Sequence, residues 1–171
     1  MLVGVPKILC DLAVADFLKA EPIDAGVKKE QTIIDYEIRN TTIRFVPESH
    51  WMTGIMYHIG MQANKFHNWD FNVNSFQQIQ YAEYEVDHHY DWHIDTFILS
   101  GNPIDRKITV VCLLNDPEEF EGGEFELKEG AVPLKKGSAI AFPAFYQHRV
   151  TPVTKGIRRS ATLWITGPAF K

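Results

Sequence analysis

The spacing of apolar positions along this chain changes character near residue 70. Before that point two stretches follow a helical period. Residues 11–20 read as a short helix, with Asp11 as N-cap and Pro22 just past its end. Residues 50–66 read as a longer one, with Ser49 as N-cap and Trp51, Ile55, Ile59 and Phe66 at near-helical intervals. Between them, Ile34, Tyr36 and Ile38 share one face of a strand over 32–38. A second strand over 41–46 follows a turn marked by Asn40.

From residue 70 onward the pattern is that of strands. Residues 76–86 alternate, with Gln78, Gln80, Ala82 and Tyr84 on one side. A polar inward face is foreign to a plain core and natural around a ligand cavity. Residues 107–115 form a nearly continuous apolar run, as in a strand buried on both faces. Glu121-Gly-Gly123 is a turn, and Lys135-Lys136-Gly137 divides strands over 131–134 and 137–142. Strands over 148–153 and 158–166 close the set, with Lys155-Gly156 turning between them. Short strands with helices gathered at the front predict a β-sandwich or barrel with helices packed outside. The chain reads as a single domain, 1–171, with a helix-rich support over 1–75 and a β core over 76–166.

Composition narrows the function without naming it. With 171 residues, 45% hydrophobic and 23% charged, the chain is long enough for a buried core and ordinary for a globular domain. A net charge of -5 argues against a general phosphate-binding surface, so nucleic acid is a disfavoured partner. Cys10 and Cys112 read as isolated, neither a disulfide framework nor a thiolate metal site. No secretory signal and no membrane-spanning run are read, and a reducing, cytoplasmic setting is the expectation.

The chemistry concentrates at His93 and Asp95. Separated by one residue on an extended backbone, they project to the same side. His148 is the candidate third ligand. Two imidazoles and one carboxylate on one face of a metal leave the other face open, which suits a non-haem Fe(II) oxygenase. Zinc on the same donors would promote hydrolysis through a bound water. Arg158 shifts the balance. It shares a strand face with Ser160, Thr162 and Trp164, while Arg159 takes the other face. A guanidinium beside a hydroxyl in a cavity can bind a carboxylate through paired, charge-assisted hydrogen bonds. A metal with open positions plus a carboxylate clamp suits a dicarboxylic 2-oxo acid.

The motifs in order are Tyr84-Glu-Val-Asp-His-His-Tyr90-Asp-Trp-His93-Ile-Asp95, Leu113-Leu-Asn-Asp116, Glu121-Gly-Gly-Glu-Phe125, Gly137-Ser-Ala-Ile-Ala-Phe142, His148-Arg-Val-Thr-Pro-Val153 and Gly156-Ile-Arg-Arg-Ser160. In these the chain resembles the Fe(II)/2-oxoglutarate-dependent dioxygenases, in particular the prolyl 4-hydroxylase-like branch. The resemblance covers roughly half the chain. It implies a mainly β fold with flanking helices (α+β), built on a double-stranded β-helix, the jelly-roll core shared with cupins. It implies that His93, Asp95 and His148 bind Fe(II), that Arg158 takes the distal carboxylate of 2-oxoglutarate, and that Tyr84 is a further contact. Tyr90 is implied as a cavity residue. The implied reaction consumes dioxygen and 2-oxoglutarate, releases succinate and carbon dioxide, and hydroxylates a C–H bond of a peptide or small molecule. Collagen-type members carry Lys at the clamp, and this chain carries Arg.

Simpler readings stand beside these. His88 and His89 face opposite sides and are expected in a surface loop. Trp164 reads as core, Trp51 and Trp69 as packing residues. Rivals for the whole are a small-molecule or free-amino-acid hydroxylase, a non-catalytic cupin-like metal-binding module, and a nucleic-acid dealkylase.

Overall fold

Two long strands, buried along nearly their whole length, form the middle of the sheet, and the computed structural model builds outward from them. It describes residues 1–25, 27–29, 33–35, 38–97 and 103–170, with 27–29 and 33–35 described by backbone alone. In chain order, β1 (Leu2–Gly4) precedes α1 (Lys7–Phe17), and three short strands follow: β2 (Ile23–Ala25), β3 (Val27–Lys29) and β4 (Ile33–Asp35). Then β5 (Arg39–Phe45) leads into the long helix α2 (Trp51–Phe66). The remainder is β6 (Ser75–Phe76), β7 (Gln80–Tyr84), β8 (His89–His93), β9 (Ile104–Leu113), β10 (Phe120–Gly122) and β11 (Phe125–Leu127). It ends with β12 (Gly130–Ala131), β13 (Ser138–Pro143), β14 (His148–Val150), β15 (Val153–Gly156) and β16 (Arg158–Pro168).

The main sheet runs β1-β13-β9-β16-β7-β5 and then continues β5-β8-β14-β11-β12, antiparallel throughout. The turn between its two halves is made by β5 alone. Its residues Thr42 to Phe45 pair with β7, while Arg39 and Asn40 pair with β8. A sheet that curls back on itself in this way is a jelly roll, the architecture expected from the sequence.

Alternation along β9 explains why its apolar run is continuous. Ile108, Val110 and Cys112 join a core with the helices, whereas Val111 joins a second cluster inside the curl with Ile43, Ala82, Tyr84, Phe125 and Phe142. α2 packs against β9, β13 and β16 through Met52, Met56, Ile59 and Ala63. Each large side chain buried there contributes roughly 1.5–3 kcal/mol. Gly60 lets the helix lie this close, because a Cβ at that position would run into Ile165 and Val110.

Several expectations need correction. The first helix begins at Lys7 behind Pro6, so Asp11 is interior and exposed. The cap of α2 is His50, whose Nδ1 accepts from the Met52 amide at 3.2 Å, not Ser49. On α2, Trp51 and Phe66 are exposed and Ile55 is half-buried; Ile59 is buried as expected, and the rest of the buried stripe is Met52, Met56 and Ala63. Asn40 is a strand residue, paired with His89. The strand expected over 76–86 is broken into β6 and β7, and Gln78 is exposed. His89 opens β8 and does not sit in a loop. The expected pattern at Ile34, Tyr36 and Ile38 involves side chains outside the described residues. Cys10 and Cys112 are not isolated: both are buried in the same core cluster, near enough to affect one another's ionisation. Within residues 1–75, β5 is an integral strand of the main sheet.

Candidate active site

Strand pairing brings the two histidines face to face. His93 ends β8 and His148 begins β14, and the two are register partners. Asp95 lies just past β8, its backbone N–H donating to the Ala144 carbonyl at 2.8 Å. His93 Nε2 is 3.7 Å from Asp95 Oδ1, and His148 Nε2 is 3.5 Å from Asp95 Oδ2. The three donor atoms lie within 4.8 Å of one another.

The surroundings fix which nitrogen faces inward. His93 Nδ1 is 2.7 Å from the Asp91 carbonyl oxygen, and His148 Nδ1 is 2.9 Å from that of Tyr146. A carbonyl can only accept, so each Nδ1 carries a proton and each Nε2 presents a lone pair. Thr109 Oγ1 donates to Asp95 Oδ2 at 2.7 Å. Phe142 meets the His148 ring edge-on at 4.9 Å, and Tyr90 stacks on His93 nearly parallel at 3.4 Å.

Burial, with the nearby His148, pushes His93 down to about 3, so it is a neutral imidazole at physiological pH. Burial opposes the charge on Asp95, but the two imidazoles and Thr109 outweigh it and hold the carboxyl below its usual range. Burial also pushes the Tyr90 hydroxyl up to about 12, leaving it a neutral phenol. The indole Nε1 of Trp164 lies near Asp95 yet falls short of hydrogen-bond geometry.

A narrow cavity runs from the triad to Arg158, lined among others by Gln80, Tyr84, Ser160, Thr162 and Trp164. Arg158 is only 1% exposed. Its Nη1 donates to Ser160 Oγ at 3.0 Å, and its guanidinium lies 5.4 Å from the centre of the Tyr84 ring. Its Nη2 is buried with no partner. Arg159 faces away, with Nε 3.3 Å from Glu83 Oε1. Gly123, at φ 63°, closes over this corner; a Cβ there would come within 2.9 Å of both Arg158 Cδ and Val153 Cγ2.

The structure thus gathers His93, Asp95, His148, Arg158, Ser160, Tyr84 and Tyr90 around one space. Sequence reasoning missed two residues. Trp164 lines the cavity instead of filling the helix-side core, a placement its shared parity with Arg158 had already signalled. Thr109 carried no local signal. The donor set suits a divalent metal: two neutral imidazole nitrogens and one carboxylate converge from one side. An unpaired, buried guanidinium nitrogen in the same cavity suits the far end of a dicarboxylate.

Comparison with known proteins agrees with this geometry. Residues 79–166 match the family model of the 2OG-Fe(II) oxygenase superfamily. The chain is 33% identical over 98 residues to a PKHD-type hydroxylase of Xylella fastidiosa (strain M23), covering 50% of this chain and 43% of the relative. It therefore spans less than half the length of that curated relative. Among solved structures, a viral collagen prolyl hydroxylase from Paramecium Bursaria Chlorella virus-1 superposes with a TM-score of 0.71 at 22% identity, covering 98% of this chain and 95% of that one. A Pseudomonas putida prolyl-4-hydroxylase gives 0.72 at 18% identity, covering 100% and 92%. At these identities the two structures speak for the fold.

Proposed function

Because the chain belongs to the 2OG-Fe(II) oxygenase superfamily, we infer that it is an Fe(II)- and 2-oxoglutarate-dependent dioxygenase that hydroxylates a C–H bond, in the manner of a prolyl 4-hydroxylase. The observation that carries this reading is the orphaned Nη2 of Arg158 in the same cavity as the His93, Asp95 and His148 triad. A hydrolytic zinc site or a cupin-like binding module has no use for a desolvated guanidinium. Leaving one unpaired costs several kcal/mol, and the far carboxylate of 2-oxoglutarate removes that penalty.

His93, Asp95 and His148 would hold Fe(II), and Arg158 with Ser160 would fix the distal carboxylate of 2-oxoglutarate. When bound, that pair reacts with dioxygen, turns 2-oxoglutarate into succinate and carbon dioxide, and supplies the oxidising power to hydroxylate a C–H bond. The chain's own residues do the rest. The Nδ1–H bonds of the two histidines to backbone carbonyls fix ring orientation. Thr109 would hold the Asp95 carboxylate in place through its Oδ2. Tyr84 and Val111 narrow the passage to Arg158 and limit water around the co-substrate.

Peptidyl proline is the first substrate to test, since the structural neighbours are prolyl hydroxylases. A free amino acid or another small molecule is the second, favoured by Arg39 and Arg106, which pack on the cavity residues Tyr90 and Trp164. Anaerobic addition of Fe(II) and 2-oxoglutarate should produce the weak visible charge-transfer band of chelated iron. In air, slow succinate formation should appear even without a substrate. Absence of both would falsify the reading.

A further inference from the structure

The arginines of this chain divide into two groups. Arg44 pairs with Glu83, Arg149 with Glu126 at 2.6 Å, and Arg159 with Glu83 at 3.3 Å. Arg39, Arg106 and Arg158 make no ion pair with any carboxylate of the described residues. Arg158 is accounted for by the distal end of 2-oxoglutarate. The other two remain to be explained.

Both pack on residues that line the cavity, Arg39 on Tyr90 and Arg106 on Trp164. Arg39 lies on the short part of β5 that crosses to β8, in register with Tyr90. Its guanidinium sits 4.6 Å from the centre of the Tyr90 ring, which in turn stacks on His93. Its Nε and Nη2 are buried without partners. Arg106 reaches Trp164 through a break in strand register. Along β9 and β16, Ile108 faces Ile165 but Arg106 faces Thr166, so Lys107 is skipped. A bulge of this kind re-aims a side chain. It places Arg106 3.7 Å from the ring centre of the cavity residue Trp164 and lets its Nε donate to Gln77 at 2.8 Å. Arg39 is close enough to influence the charge state of Arg106 and of His93.

Asp95 and Asp105 act on Arg106 from a distance, but no carboxylate of the described residues is within ion-pair reach of either arginine, and such desolvated guanidinium groups favour an anion between them. The co-substrate cannot supply it. One of its carboxylates belongs at the metal with the 2-oxo group, and the other at Arg158. We propose that Arg39 and Arg106 form a second anion subsite, beside the cavity, that holds a carboxylate of the substrate and aims the neighbouring C–H bond at the metal. This rests on the oxygenase reading and adds the substrate class to it: a carboxylate-bearing molecule. The carboxylate has two sources, the α-carboxylate of a free amino acid or an acidic residue beside the target in a peptide. Planar guanidinium groups suit either, through bidentate hydrogen bonds.

The test is binding to the protein loaded with Mn(II) and saturated with 2-oxoglutarate, without dioxygen, followed by calorimetry. L-proline, L-leucine and L-lysine are each compared with their carboxamides, and acetyl-aspartyl-proline amide with its asparaginyl counterpart. At least one acid should bind about tenfold or more tighter than its neutral partner, an electrostatic margin of the size expected for a desolvated pair. Preference among the amino acids assigns the free α-carboxylate, and preference in the peptide pair the acidic side chain. Arg39→Gln or Arg106→Gln should erase the margin, whereas Arg39→Lys should keep part of it. Equal binding of acids and amides, no binding by any probe, displacement of 2-oxoglutarate by the acids, or a margin that survives both glutamine variants overturns the proposal. The wild-type comparison stands even if a variant misfolds. Succinate formation in air is scored separately, so failure of the oxygenase reading is distinguishable from failure of the subsite.

Discussion

Replacing Thr109 with Val isolates what holds Asp95 in place. The two side chains have nearly the same shape, and Thr109 is fully buried, so the change removes one donor and little else. The lost bond is the 2.7 Å contact from Oγ1 to Asp95 Oδ2. Hydrogen bonds to charged groups contribute about 1.5–3 kcal/mol. If the bond only stabilises the fold, the metal-free and metal-loaded proteins lose the same amount, and metal affinity is unchanged. If instead it aims the carboxylate, part of that energy appears as weaker binding. Partners of metal ligands are typically worth about 10–100-fold in affinity. That corresponds to roughly 1.4–2.7 kcal/mol, within what this one bond can supply. Calorimetric titration of the metal-free protein with Mn(II) should therefore give a Kd raised by that factor for Thr109→Val. Thr109→Ser keeps the hydroxyl and should bind nearly as wild type. A Thr109→Val affinity within about twofold of wild type, alongside a lower unfolding midpoint, would refute the orienting role.

Other expected outcomes follow from the same geometry. Arg158→Gln should bind Mn(II) normally but lose about 2–3 kcal/mol of 2-oxoglutarate affinity, read by titrating the co-substrate. Gly123→Ala forces a side chain into a left-handed backbone and against Arg158, so chemical denaturation should show a loss of at least about 1–2 kcal/mol, with weaker 2-oxoglutarate binding. Asp95→Ala should abolish metal binding and turnover, whereas His88→Ala should leave both intact; equal losses would point to a general effect on folding. His93 is held neutral by burial, down to about 3, so below its ordinary value the unfolded chain takes up a proton that the folded chain refuses. Stability of the metal-free protein is thus fully present above about pH 6.5 and falls by up to about 1.4 kcal/mol per unit as pH drops toward the folded value. Urea unfolding at pH 7.5 and 5.5 should show a loss of about 1 kcal/mol that His93→Gln removes.

Much of the site was legible because alternation along a strand is a local property. The spacing of His93 and Asp95 put them on one side, and the parity of 158, 160, 162 and 164 separated Arg158 from Arg159. Both features survive whatever surrounds the strand. Thr109 and Arg106 were hidden because their placement depends on how β9 registers against β16, including the step past Lys107. That offset has no trace in either strand alone. Arg39 was hidden for a related reason, since only the crossing of β5 from one half of the sheet to the other sets it beside Tyr90. The helix starts failed more simply. Pro6 and His50 occupy the cap positions, with Asp11 and Ser49 offering the more familiar side chains nearby. The proximity of Cys10 and Cys112 joins a helix to a strand about a hundred residues later, a distance over which no spacing rule operates.

The place of β16 after β7 and β9 in chain order bears on how the protein is made. β7 is covered on one side by β5, which is synthesised before it, and on the other by β16, which is synthesised well after it. β9 likewise shares one long edge with β16. Until β16 leaves the ribosome, both strands carry an open row of unpaired amides and carbonyls, the kind of edge that recruits strands from other molecules. The same strand brings Arg158, so the cavity's buried guanidinium and the shielding of the sheet arrive together. Premature termination before residue 158 would therefore yield a product that is inactive and also sticky, and aggregation of such fragments would be a direct sign of this order of assembly.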